Sequence, residues 1–323
     1  MINQENLKKL DYLIQNSNKI AVVAHADPDG DSIGSIMALR EILRIINKDV
    51  DFYINGDIPF NYKFMKDVEK TSTYKENLKY DLFFALDSSD KERLGENSSI
   101  INNSNKTVCI DHHKTNQGYC DLNIIEPDYS STGEIIFDVF NRLNYEINEI
   151  AAENIFISII TDTGKFIYDN AGYQTFENVS KLLKMKIDKN EIVKKLYSCE
   201  PKNIFKLKSD VFNSTEFYFE DRVALSCLSQ KILKDYSLSL KDVDGLVERL
   251  RDIENVEISI LIKELSYNKF KISMRSLGSA DVSKVCEVFG GGGHKNAAGF
   301  KINDIEYSNL KKNIIEEVEK NAL

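Results

Sequence analysis

Ile20-Ala21-Val22-Val23-Ala24-His25-Ala26-Asp27-Pro28-Asp29-Gly30-Asp31-Ser32-Ile33-Gly34-Ser35 holds both the fold and the chemistry in one stretch. The first five residues are uninterruptedly apolar, as in a strand buried on both faces of a sheet. From Ser32 to Ile46 the period changes, with Ile33, Ile36, Met37, Leu39, Leu43 and Ile46 at helical spacing. Between strand and helix, three aspartates and a histidine project from one tight turn. Their mutual repulsion is unfavourable unless cations neutralise it. A solvated turn with Asp31 as helix N-cap would explain one aspartate, not three. Hard divalent ions, which prefer carboxylate and imidazole, would explain all of them.

Outward from this stretch the alternation continues. Val50–Ile54, Leu82–Leu86, Val108–Ile110 and Leu122–Ile125 read as further buried strands. Ser131-Thr132-Gly133-Glu134 fits a capping box that opens a helix through Phe140, and Ala151–Ile160 reads as another, largely buried helix. Strand–helix alternation predicts an α/β fold, a parallel sheet with helices on both faces. Ligands bind such sheets at the carboxyl ends of the strands.

The character changes after about residue 190, so the predicted boundaries are a first domain over 1–190, a connector over 191–213 and a smaller mixed α/β domain over 214–323. Glu200-Pro201-Lys202-Asn203 breaks the chain ahead of a helix over Ile204–Phe212. Glu216–Tyr218 and Arg222–Cys227 form a predicted hairpin, as do Val256–Lys263 and Lys269–Arg275. Leu246–Leu250, Val282–Phe289 and Ile305–Glu319 read as helices.

The chain has only four histidines, His25, His112, His113 and His294, and each lies in a polar cluster after an apolar strand or in a glycine-rich loop. Asp87 ends the run Phe83–Leu86, and nearby Asp90 reads as a cap or surface residue. Asp111-His112-His113 follows Val108–Ile110. Adjacent residues of an extended segment point to opposite sides, but in a turn two histidines can serve different partners. One can bind metal while the other faces substrate, with Asp111 fixing tautomer and orientation from behind. Asp162 follows the apolar Phe156–Ile160, where burial without a partner would be costly. Gly290-Gly291-Gly292-Gly293-His294-Lys295 offers backbone N–H groups to an anion, with two cationic donors beside them. Arg275 could supply a bidentate phosphate clamp.

Composition sets bounds. The 323 residues, 42% hydrophobic, can bury a full core without staples. Net charge is −9 with no long basic run, which argues against tight, nonspecific binding of long DNA or RNA. The five cysteines form no CxxC and read as reduced, pointing to the cytoplasm. No apolar run is long enough to span a bilayer, and no membrane partner is expected.

Together these clusters resemble the DHH phosphoesterase family with a C-terminal DHHA1 domain. His25-Ala26-Asp27-Pro28-Asp29-Gly30-Asp31, Asp87, Asp111-His112-His113 and Asp162-Thr163-Gly164 match its four successive motifs, and Gly291-Gly292-Gly293-His294 with Ala297-Ala298-Gly299 matches the DHHA1 signature. Within the family the chain is most similar to the small bifunctional oligoribonuclease/pAp phosphatases. The resemblance implies one metal held by His25, Asp29 and Asp87 and a second held by Asp31, Asp87, His112 and Asp162, with Asp87 as the bridge. It implies that His113 faces the scissile phosphate, with Asp111 behind it. Arg275, His294, Gly291, Gly292, Gly293 and Lys295 are expected to bind substrate, and Asp27 to stand behind the metals or face substrate. Four ligand aspartates against two divalent cations leave the site near neutral, and mixed imidazole and carboxylate ligands suit Mn²⁺, with Fe²⁺, Co²⁺ and Zn²⁺ as alternatives by ligand type.

The expected reaction is in-line attack of water on a phosphoester, with two ions roughly 3.5–4 Å apart clamping the attacking and leaving oxygens. The resemblance implies as substrates oligoribonucleotides of a few residues and 3'-phosphoadenosine 5'-phosphate (pAp). Linear dinucleotides such as pApA or pGpG are the alternative. A manganese pyrophosphatase would carry a different C-terminal domain. A RecJ-like exonuclease would be longer and more basic, and a membrane-bound cyclic-dinucleotide phosphodiesterase would need membrane and sensor segments. A nucleotide-binding regulator without catalysis would be expected to have lost ligands that are all present here. The sequence leaves a homodimer open.

Overall fold

The computed structural model describes residues 2–73, 78–243 and 245–323. The chain divides into two compact units, Met1–Cys199 and Glu200–Leu323. In the first, the elements run α1 (Gln4–Gln15), β1 (Lys19–Ala24), α2 (Gly30–Ile45), β2 (Asp49–Tyr53), β3 (Tyr80–Leu86), β4 (Ser104–Asp111), β5 (Leu122–Ile125), α3 (Thr132–Arg142), α4 (Glu149–Asp162), α5 (Tyr173–Leu183) and α6 (Lys189–Tyr197). The five strands the sequence predicts are all present and form one parallel sheet in the order β2-β1-β3-β4-β5.

That order explains where a site can form. The chain leaves β1 for β2 on one side and then returns to lay β3 on the other. The connections therefore diverge at the carboxyl ends of β1 and β3, where a crevice opens. Ala24 and Leu86 are register partners there, so His25 and Asp87 emerge side by side.

Both faces of the sheet are covered. Ile20, Val22, Leu82, Phe84, Val108 and Ile110 pack against buried residues of α2, α3 and α4. On the other face Ala21, Val23, Phe83, Ala85 and Cys109 are closed by Leu94, Ile100 and Ile101 from 3-10 turns over Glu92–Asn103. Helix α1 was not among the elements expected from the sequence. It buries Leu7, Leu10, Leu13 and Ile14, each worth about 2 kcal/mol. The approach of α2 to α4 depends on glycine. A Cβ on Gly30 would lie 2.3 Å from Thr161 Oγ1, and one on Gly34 would lie 2.7 Å from the Asn154 carbonyl oxygen.

Two local expectations change. The N-cap of α2 is Asp29, whose Oδ1 accepts from Ser32 N while Ser32 Oγ accepts from Asp29 N; Asp31 is not the cap. The capping box at α3 is half made. Ser131 Oγ accepts from Glu134 N, but Glu134 does not return to Ser131. It is fully buried and instead accepts from Ser130 N, Ser130 Oγ, Thr175 Oγ1 and Asn178 Nδ2, because a buried carboxylate needs more donors than one cap offers.

The second unit runs α7 (Lys202–Asn213), β6 (Glu216–Tyr218), β7 (Val223–Leu228), α8 (Gln230–Asp235), α9 (Leu246–Arg251), β8 (Ile258–Ser266), β9 (Lys269–Ser276), α10 (Val282–Val288), β10 (Gly292–His294), β11 (Ala297–Asn303) and α11 (Tyr307–Asn321). Its mixed sheet has the order β10-β11-β9-β8-β7-β6, and only β7 and β8 pair in parallel. Helices α10 and α11 pack on one face, while Leu207 and Val211 of α7 join Leu246 and Val247 of α9 in a separate cluster with Leu261. The glycine run predicted as a loop is instead a tight hairpin, with Gly292 opposite Gly299 and His294 opposite Ala297. A Cβ on Gly291 or Gly293 would lie 2.3 or 2.5 Å from the partner strand's carbonyl oxygens, so close packing demands these glycines. No described helix is long and apolar enough to cross a membrane.

Candidate metal centre

The first unit gathers its histidines and most of its motif aspartates at the ends of β1, β3 and β4, with α2 and α4 closing the site. Asp87 sits at the centre. It directly follows β3, it is buried, and its φ of 51° lies in the left-handed region. Such backbone strain in a non-glycine residue collects at functional sites. Its two carboxylate oxygens face different groups. Oδ2 lies 3.2 Å from His25 Nε2, and Oδ1 lies 3.6 Å from His112 Nε2 and 3.3 Å from Thr132 Oγ1.

On the Oδ2 side, His25 Nε2 also lies 3.6 Å from Asp29 Oδ2. Asp29 thus caps α2 with one oxygen and faces His25 with the other. Asp29, His25 and Asp87 offer ligand atoms close enough to hold one ion. On the Oδ1 side, His112 Nε2 is 3.6 Å from Asp31 Oδ2 and 3.7 Å from Asp162 Oδ2, and Asp31, His112 and Asp162 form a second such group. Asp87, His112 and His113 form a third combination.

Asp162 is the last residue of α4, where the partial negative charge of the helix terminus opposes a carboxylate. Asp31 lies in the first turn of α2 and is almost fully buried. It accepts from Ser35 Oγ, Thr132 N, Gly133 N and Ser158 Oγ. Burial and the neighbouring charge of Asp87 still raise its pKa well above the ordinary range. Burial, with Asp87 and Asp29, pushes Asp162 up to about 8. Burial would lower the pKa of His25, but Asp29 and Asp87 outweigh it and raise it to about 10. The cluster therefore holds protons against its own negative field, and a divalent cation would relieve the same field. His25 Nδ1 is buried without a hydrogen-bond partner. This donor set fits two divalent ions of the borderline kind that accept both oxygen and nitrogen.

His112 and His113 separate as the turn predicts. Their ring planes are inclined by 63°. His113 Nδ1 lies 2.7 Å from Asp111 Oδ1, and the other oxygen of Asp111 accepts from Asn116 Nδ2 at 2.7 Å. Burial would lower the His113 pKa, but the hydrogen bond and charge of Asp111 raise it. Its Nε2 is therefore the nitrogen left for a ligand. Asp27 is exposed and belongs to none of the three ligand groups. Asp90 accepts from Arg93 N and Ser89 Oγ, the capping role expected of it.

In the second unit Arg275 is already engaged. Its Nη2 lies 3.0 Å from Glu248 Oε1 and its Nη1 donates to the Met274 carbonyl. His294 and Lys295 are exposed. The N–H groups of Gly290 and Gly291 are spent on the carbonyls of Glu287 and Cys286 at the end of α10, so they are not available to an anion.

Sequence reasoning missed several polar residues around the ligands. Asn116 anchors Asp111, Ser158 bonds Asp31, and Thr132 meets both Asp31 and Asp87. Asn170 Nδ2 lies 3.3 Å from Asp162 Oδ2. Thr132 and Ser158 stood in segments read in the sequence for helix capping and helix burial alone, and Asn116 and Asn170 stood in none.

Comparison with known proteins identifies both domains. The model of the DHH family's N-terminal domain matches residues 19–161, and that of the DHHA1 domain matches residues 222–322. A bifunctional oligoribonuclease and PAP phosphatase, NrnA, of Thermus thermophilus is 26% identical over 303 residues, 93% of this chain and 89% of that protein. A probable protein of the same name from Streptococcus mutans is 26% identical over 286 residues, 88% of this chain and 90% of that protein. The crystal structure of an exopolyphosphatase-related protein from Bacteroides fragilis superposes with a TM-score of 0.92 at 27% identity, covering 99% of this chain and 97% of that one.

Proposed function

The chain belongs to the DHH family and carries a DHHA1 domain, and on that premise we propose a two-metal phosphoesterase that hydrolyses short oligoribonucleotides to mononucleotides and pAp to AMP. The observation that carries the proposal is the division of Asp87, one oxygen toward His25 and the other toward His112. A carboxylate so placed is suited to bridge two ions. We assign His25, Asp29 and Asp87 to one ion and Asp31, Asp87, His112 and Asp162 to the other, both most suitably Mn²⁺.

Bound ions would lower the pKa of the attacking water and neutralise charge on the phosphoryl oxygens. The protein's own part is orientation. Asp111 fixes the proton of His113 on Nδ1, which directs Nε2 toward a phosphate oxygen, where it can act once it is protonated. The serine, threonine and backbone donors around Asp31 hold that ligand in place before an ion arrives. Arg275, His294, Lys295, Gly292 and Gly293 are assigned to the substrate, while Gly291, whose N–H is spent on Cys286, is not. The Glu248 partner of Arg275 would hold the guanidinium in a fixed direction. The five free thiols suit a reducing cytoplasm.

The relatives named for oligoribonuclease and PAP phosphatase activity support the substrate choice. A panel of pAp, pApA, pGpG, short RNA, pyrophosphate and cyclic dinucleotides with added Mn²⁺ tests it. The expected result is release of mononucleotide from short RNA and of AMP from pAp. Turnover of pyrophosphate alone, or of none of the panel, would overturn it.

A further inference from the structure

The outer part of the second unit's sheet carries charge that the assignments above leave largely unused. Across the antiparallel pair of β9 and β11, Lys271 stands opposite Lys301, Ser273 opposite Gly299 and Arg275 opposite Ala297. Alternation puts these residues on one face of the sheet. The intervening Ile272, Met274, Ala298 and Phe300 are buried in the core on the other. With Lys269 and its partner Asn303 the face presents four cations and no carboxylate on these two strands, in a chain of net charge −9. Lys271 and Lys301 are both exposed. Neither makes an ion pair with a described residue. Like charges directly opposite destabilise a strand pair, unless an anion lies over them.

The floor between these cations is built from small residues and lines a depression of about 410 Å³. Gly292, opposite Gly299, lines the same depression. A Cβ there would meet nothing within 4 Å and its φ lies outside the left-handed region, so neither packing nor backbone calls for glycine. A side chain would intrude only on the space above the sheet, so this glycine leaves room for the close approach of a ligand.

We propose that Lys271 and Lys301 form a track for the phosphodiester backbone of single-stranded RNA beyond the nucleotide at Arg275, so that affinity rises with substrate length. The inference rests on the proposed function for its ligand class. Four residues of strand separate Lys271 from Arg275, about 13 Å. That reach suits a few nucleotides and agrees with the absence of a long basic run.

The test is equilibrium binding of fluorescent penta- and diribonucleotides in EDTA, which needs no turnover, with the intact protein and the Lys271→Gln/Lys301→Gln variant. The expected result is a tenfold or greater loss of pentamer affinity, unchanged dimer affinity, and a log–log salt slope shallower by about 1.4, for two lost phosphate contacts. Arginine at both positions should restore binding. Unchanged pentamer affinity, an equal loss for the dimer, or equal competition by a pentaglutamate peptide would overturn the track. Failure of the wild-type protein to hydrolyse RNA with Mn²⁺, while this lysine-dependent slope persists, would count against the proposed function and not against the track.

Discussion

Asp111 and His113 are joined by a 2.7 Å contact between a carboxylate oxygen and the ring Nδ1, and Asn116 holds the second carboxylate oxygen from behind. The relationship leaves Nε2 as the nitrogen of His113 open to a ligand. It also separates His113 from its neighbour His112, whose Nε2 meets three other aspartates. Replacing Asp111 by alanine should lower kcat by about 10–100-fold, the usual effect of losing a residue that orients an active group. Metal content by elemental analysis should stay at the wild-type value, because Asp111 belongs to none of the ligand groups. A loss of metal in step with activity would contradict this role.

Asp87 is better probed by asparagine than by alanine, since its φ of 51° is one that asparagine also tolerates. Asp87→Asn should abolish hydrolysis of a dinucleotide and remove the rise in Tm that Mn²⁺ gives the wild-type protein. Circular dichroism should remain native. A variant that still gained stability from Mn²⁺ would rule Asp87 out as the bridge.

The metal-free protein should lose stability as pH rises. Asp162, raised from 3.8 to about 8, favours the folded state most while it is protonated in both states, and that contribution disappears between these values. His25, raised from 6.5 to about 10, contributes stability below its unfolded value and loses it above. Both groups act in the same direction. Bound metal replaces these protons, so the Tm difference between Mn²⁺-loaded and EDTA-treated protein should widen from about pH 6 to about pH 8. Scanning calorimetry would reveal it, and a constant difference would speak against proton–metal competition.

Gly30→Ala should separate α2 from α4. The added Cβ would meet the side chain of Thr161, next to Asp162, at 2.3–2.5 Å. Overpacking of this kind costs about 1–3 kcal/mol. Asp31 and Asp162 lie on opposite sides of that contact, so Mn²⁺ affinity should fall as well. Urea titration and a metal-binding isotherm measure the two effects, and Gly30→Ala with Thr161→Ser should recover part of both.

Much of this was legible in one dimension. The apolar runs at Ile20–Ala24 and Leu82–Leu86 predict strands because a parallel strand buried on both faces must be apolar throughout. The aspartates and histidines of the first unit stand out because each follows an apolar run, and most of those runs are strands, whose ends are where a parallel sheet leaves room for ligands. Helix α1 and the residues Asn116, Ser158 and Asn170 were not legible. Their partners lie tens of residues away or in another element, and neither period nor local spacing encodes such a contact. The glycine hairpin at Gly292–Gly299 was misread for a related reason, since a glycine run looks the same whether it frees the backbone or lets two strands approach.

The sequence by itself determined the fold class and showed aspartates and histidines clustered after apolar runs, and its resemblance to a family implied which six of them hold metal. The first two follow from local composition, from apolar burial and from the cost of placing like charges in one turn. Only the tertiary structure decided how Asp87 divides its two oxygens, which histidine Asp111 orients, and that Asp29 rather than Asp31 caps α2. Those relations depend on distances between β1, β3, β4, α2 and α4, and the packing of those elements through Gly30 and Gly34 sets the distances.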